Sequence, residues 1–108
     1  MFVAHSFRLR PPWDCEPVNA ERLCWQRVFH RPTGLEKTDQ LWLVVSGLPA
    51  DGHVWLNDQR LAPPEGRPLG QFEVTGLVEE TSRIAIEMRG SEGDDFPLDV
   101  RLAIVGNE

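Results

Sequence analysis

The sequence predicts an all-β fold, an antiparallel β-sandwich of about eight strands in which residues 1–108 form a single domain. Three observations carry the prediction. Nine Gly and nine Pro residues divide the 108 into short segments, as turn-rich β folds require. Apolar residues recur with a period of two in one segment after another, which is the spacing that lines one face of a strand. Residues 41–61, LWLVVSGLPADGHVWLNDQRL, read as two apolar strands parted by a Gly-containing loop, the second turning sharply at Asn57-Asp58.

Residues 2–10 alternate, with Val3, His5, Phe7 and Leu9 on one face, and Pro11-Pro12 ends the run because proline has no N–H for a ladder. Residues 13–20 carry Asp, Glu, Pro and Asn and are expected to be a loop. Residues 21–31 form the next strand: Leu23, Trp25, Arg27 and Phe29 share one face, and Cys24, Gln26, Val28 and His30 the other. Pro32-Thr33-Gly34 stops it. Residues 41–46 are nearly all apolar, as in a central strand covered on both sides.

Residues 47–52 lead to a strand over 53–56, in which Val54 and Leu56 oppose His53 and Trp55. Asn57 and Asp58 suit the tight turn because both tolerate positive φ better than most residues. Residues 62–70, with three prolines and two glycines, are an irregular loop. A short strand over 71–74 turns Phe72 and Val74 inward, and 75–80 holds a helical turn at most, near 77–80. Residues 82–88 place Ile84, Ile86 and Met88 on one face; after a flexible acidic loop at 90–95, residues 97–105 do the same with Leu98, Val100, Leu102 and Ile104.

Composition narrows the function classes. With 41% hydrophobic and 26% charged residues the chain is an ordinary globular domain, long enough to bury a core without metal or disulfide. The net charge is −6 and no basic stripe is present, which argues against nucleic-acid partners. The longest apolar run is 41–45, far short of the ~20 residues of a spanning helix, so no membrane partner is expected. The start of the chain lacks a basic n-region followed by an apolar h-region, and the expected location is cytoplasmic. Cys15 and Cys24 lack CxxC spacing. The expectation is two reduced thiols with Cys24 in or near the core, a disulfide remaining open for an exported protein.

Several strands are similar to the N-terminal sugar-binding sandwich of family 2 glycoside hydrolases. The run Cys24-Trp25-Gln26-Arg27-Val28-Phe29-His30-Arg31-Pro32 resembles that family's "WYRRxFxxP" strand, with Cys24 at the tryptophan position and Trp25 at the tyrosine. Leu43, Val45 and Gly47 fit its "L-x-F-x-G-V" strand, and Val54-Trp55-Leu56-Asn57-Asp58 its "V-Y-V-N-G" hairpin. Phe72-Glu73-Val74-Thr75 with Leu77 fits "F-x-V-T-x-L", and Ser82-Arg83-Ile84-Ala85-Ile86 fits "N-x-L-A-V". The resemblance runs from about Ala20 to the end, roughly four-fifths of the chain. It implies a galactose-binding-like jelly roll, and sugar binding only by association. Asp58 replaces the hairpin glycine, and the catalytic barrel with its two glutamates has no counterpart in 108 residues.

Four tryptophans without a tyrosine also suit a carbohydrate ligand, since sugar C–H faces stack on flat aromatics while polar side chains take the hydroxyls. Trp25 belongs to the core face, and Trp13 to a loop. Trp42 and Trp55, with His53 close by, are the candidate ligand-binding residues, on the expectation that they share one outer face. No catalytic set is visible: the G-x-S-x-G frame is missing, and His5, His30 and His53 are scattered, giving no metal site and no cofactor. Glu92, Asp94, Asp95 and Asp99 lack the calcium-loop pattern. The expected function is a non-catalytic binding module for a saccharide. The alternative is a small assembly scaffold whose exposed aromatic sheet face meets a protein partner or a second copy; the sequence leaves the oligomeric state open.

Overall fold

The computed structural model describes residues 2–63, 65–66 and 68–106, and only the backbone of residues 2–4. The side chain of Val3, expected on one face with His5, Phe7 and Leu9, and two positions of the Pro-rich loop (64 and 67) therefore lie outside the described residues. Nine strands form two antiparallel sheets, and no helix occurs among the described residues. One sheet has the order β1 (Phe2–Arg8), β9 (Asp99–Gly106), β4 (Gln40–Ser46) and β7 (Gln71–Glu73). The other runs β2 (Asp14–Pro17), β3 (Arg22–His30), β8 (Thr81–Arg89), β5 (His53–Leu56) and β6 (Gln59–Arg60).

One apolar cluster lies between the sheets, in a sandwich-like arrangement. Leu41, Leu43 and Val45 of β4 and Val100, Leu102 and Ile104 of β9 enter it from one side. Leu23, Trp25 and Phe29 of β3, Ile84, Ile86 and Met88 of β8, and Val54 and Leu56 of β5 enter from the other. These are the alternating apolar positions of the sequence, and each fully buried aliphatic side chain contributes about 1.5–3 kcal/mol. Covering is one-sided, however. Trp42 and Val44, on the outer side of β4, are only half-buried, so this strand is not enclosed on both faces.

The turns follow local chemistry. Asn57 and Asp58 both take positive φ, 49° and 67°, in the two-residue loop that pairs Leu56 with Gln59. That is the conformation right-twisted hairpins favour. Asn57 also accepts the Arg83 N–H (2.9 Å) and donates to Ser82 Oγ (3.2 Å) and the Leu77 carbonyl (3.3 Å). The one buried polar side chain among the described residues, Ser82, is thereby satisfied, its Oγ also taking the Glu79 N–H at 2.9 Å. Residues 74–78 make a single turn, Val78 N–H bonding the Val74 carbonyl at 3.2 Å, and no helix. Gly70 has φ 92° and its backbone packs so closely on the Val45 carbonyl that a Cβ has no room.

A further expectation is corrected at the edge of the five-stranded sheet. Residues 14–17 are not loop but the edge strand β2, paired with β3 from Asp14↔Gln26 to Pro17↔Leu23. All four of its residues are exposed, so its origin is pairing and not burial. Phe7 pairs with the core residue Leu102 yet is 45% exposed, because β1 is an edge strand beside an open cleft.

Candidate functional site

β4 and β5 lie in different sheets, so Trp42 and Trp55 project from opposite outer faces and do not share one. The cause is the connection over residues 47–52: Gly47 takes φ 89°, Leu48 is buried, and the chain crosses from one sheet to the other. Alternation fixes which way each side chain points from its strand, but not which sheet the strand joins. His53 and Trp55 do stand together on the outer face of the five-stranded sheet, their rings 5.9 Å apart and edge to face.

Register builds the surroundings of Trp55. Arg60 of β6 lies on one side of it and Ala85 of β8 on the other, and Gln26 of β3 follows opposite Ala85. Ala85 is the small member of this row. It separates the Trp55 indole from Gln26 by two strand spacings, about 10 Å. His53 faces Glu87 across β8, and Glu87 faces Cys24.

The polar groups here are held in set orientations. Arg60 Nη2 lies 2.7 Å from His53 Nδ1. A guanidinium only donates, so Nδ1 accepts and the ring proton resides on Nε2 as a donor. Arg83 Nη1 donates to Gln26 Oε1 at 3.0 Å, and the amide N–H₂ donates to Cys24 Sγ at 3.8 Å. Arg22 bonds the Glu87 carboxylate at 3.2 Å and the Asp51 carbonyl at 2.8 Å, tying the entry to β5 against the sheet. An aromatic plane, an amide, an imidazole N–H and a carboxylate on one sheet face can stack an apolar ring face and satisfy the hydroxyls around it.

Trp42 has different company. Its Nε1–H donates to Gln40 Oε1 at 3.1 Å, and Ala103 and Glu73 flank it across β9 and β7. The remaining tryptophans are buried. Trp13, expected in a loop, stacks on Phe96 at 4.2 Å, and Phe96 meets the edge of Trp25 at 5.4 Å. Trp13 Nε1–H reaches the Leu9 carbonyl at 3.3 Å, so this indole plugs the side of the core. The loop at 90–95 is likewise closed on itself, Asp94 accepting the Ser91 N–H at 2.8 Å.

A concavity of about 650 Å³ opens where β1 of one sheet faces β3 of the other. Phe7, Leu9, Phe29 and Leu102 give it apolar walls, and Arg27, His30 and Arg31 edge it. Sequence reasoning passed over it. Its one outward signal is a pair of exposed apolar side chains, Phe7 and Val28, each 45% exposed.

Cys15 and Cys24 are free thiols. Cys15 pairs with Trp25 and Cys24 with Glu16, so neighbouring strands send the two sulfurs to opposite faces, where they cannot bond. Cys24 is half-buried on the outer face, not in the core. Burial raises its thiol pKa, helped by the Glu87 carboxylate against a lowering contact from Gln26. The Cys15 thiol is raised too, by desolvation and then by Asp94 and Glu92. Both are poor thiolates at neutral pH. Among the described residues no group of three or more His, Cys, Asp or Glu side chains comes together to hold a metal ion, and no helix is long and apolar enough to cross a membrane.

Neither a scan against protein-family models nor a search of curated proteins finds a match to this chain.

Proposed function

We propose that this chain is a non-catalytic binding module of galactose-binding-like, jelly-roll type, and that it takes a saccharide on the outer face of the five-stranded sheet. Trp55 is the stacking platform, His53 Nε2–H and the Gln26 amide are hydroxyl partners, and Trp42 belongs to a separate surface. The observation that carries the reading is the Trp55–Ala85–Gln26 row, a half-buried indole beside a small residue with oriented polar groups around it. The jelly-roll assignment is supported by the pairing of the first strand with the last and by the crossing between sheets from β4 to β5. Two thiols that cannot meet suit a reducing compartment, which supports a cytoplasmic setting.

Titration of the labelled protein with a panel of mono- and oligosaccharides tests this. The Trp55 indole and His53 ring resonances move with a Kd of about 1 mM, the Trp42 indole stays in place, and Trp55→Ala abolishes the response. Silence at Trp55 up to roughly 50 mM sugar, far above such a Kd, refutes the proposal, as does a response confined to Trp42.

A further inference from the structure

The cleft between β1 and β3 carries an independent reading, beginning with the backbone. Arg83 donates its N–H to Asn57 Oδ1 and accepts the Asn57 N–H, so its peptide groups face β5. Its partner across the ladder is Val28, whose own N–H and C=O must therefore point away from β8. The same parity applies to Cys24, Gln26 and His30. β2 satisfies the first two, through Glu16↔Cys24 and Asp14↔Gln26, and goes no further. In that register Pro12 would face Val28, and proline has no N–H to give. Arg27 Nη1 takes the Val28 carbonyl instead, at 3.0 Å. Among the described residues no group bonds the Val28 N–H or either backbone group of His30.

Charge adds a second observation. Arg27 and Arg31 have backbone carbonyls as partners, those of Arg10 and Val28 for the first and Val78 for the second. Neither has a carboxylate among the described residues, and none of the cleft's lining residues is acidic. In a chain of net charge −6 that is a local concentration of unneutralised cations. The cleft volume, about 650 Å³, lies within the usual range for a binding site.

We propose that this cleft docks an extended acidic peptide, which adds to β3 as a strand at Val28 and His30. Arg27, Phe29 and Arg31 share one side of β3, so the added strand alternates accordingly: acidic opposite Arg27, apolar opposite Phe29, acidic opposite Arg31. The two intervening residues exchange backbone hydrogen bonds with Val28 and His30. An unpaired edge gives affinity through main-chain bonds, while the cations and the Phe7–Leu9 wall select the side chains.

The probe is the capped pentapeptide Glu-Thr-Leu-Thr-Glu, titrated into the full chain and followed by amide shifts and hydrogen exchange. The Val28 and His30 amides shift and become protected. N-methylation of both Thr residues abolishes binding, and replacing both Glu by Lys, or combining Arg27→Gln with Arg31→Gln, weakens it about tenfold. Unchanged shifts elsewhere in the double variant certify its fold. The proposal is overturned if the N-methylated or Lys peptide binds equally well, or if hexanoate alone competes fully. It is equally overturned if the two amides gain protection with protein concentration in the absence of peptide, which would assign the edge to a second copy of this chain.

Discussion

β8 runs beside the whole of β3, but β2 accompanies it only from Leu23 to Gln26, and the two halves of β3 differ accordingly. In the first half, Cys24 and Gln26 have ladder partners, and Trp25 is covered by the Trp13–Phe96 stack. In the second half, Phe29 is as buried as Trp25, while Val28 and His30 face a cleft. The side-chain alternation is the same in both. What differs is the approaching segment, where Pro11 and Pro12 cannot donate. A strand's inward face is thus set by its own sequence, and its edge by a partner's.

The largest effect that would break this comparison is expected at the plug. Trp13→Ala should cost about 3–5 kcal/mol in urea unfolding, as for other buried tryptophans, while Val28→Ala in the open half should stay within about 0.5 kcal/mol. Similar losses at the two sites would mean that both halves are equally closed. The far edge of the same sheet offers a smaller test. Asn57→Ala removes one bond to a strand N–H and two to Leu77 and Ser82 and should cost about 1–3 kcal/mol. Asp58→Gly relieves a side chain held at φ 67° and should gain up to about 1 kcal/mol; a loss there would contradict the turn assignment.

The smallest effect concerns pH. The Cys24 thiol is raised above its ordinary 9.0 in the folded protein, so folding favours its protonated form. That contribution is complete below pH 9.0 and fades as pH rises through the folded value. Unfolding measured from neutral to alkaline pH should show a shallower alkaline decline for Cys24→Ala than for the natural chain. Parallel declines would remove the role given to burial.

Much of the fold was legible because alternation reports burial. Ile84, Ile86 and Met88, Leu41, Leu43 and Val45, and the Asn57-Asp58 turn all lie where period and turn chemistry place them. β2 was hidden because none of its residues is buried, and a strand made only by pairing leaves no hydrophobic pattern. Trp13 was hidden because a loop residue carries no parity, and its burial depends on Phe96, far away in sequence. The candidate site was half visible. His53 and Trp55 belong to one short strand and must share a face; Trp42 was separated from them by a sheet crossing that Gly47 and Leu48 make without any periodic signature.

Native-state hydrogen exchange on β3 tests the central claim most directly. Slow exchange of the Cys24 and Gln26 amides, beside much faster exchange of Val28 and His30, is the result expected of a strand half covered and half bare. Equal protection of all four amides would contradict it, and would mean that the edge beyond Gln26 is already occupied.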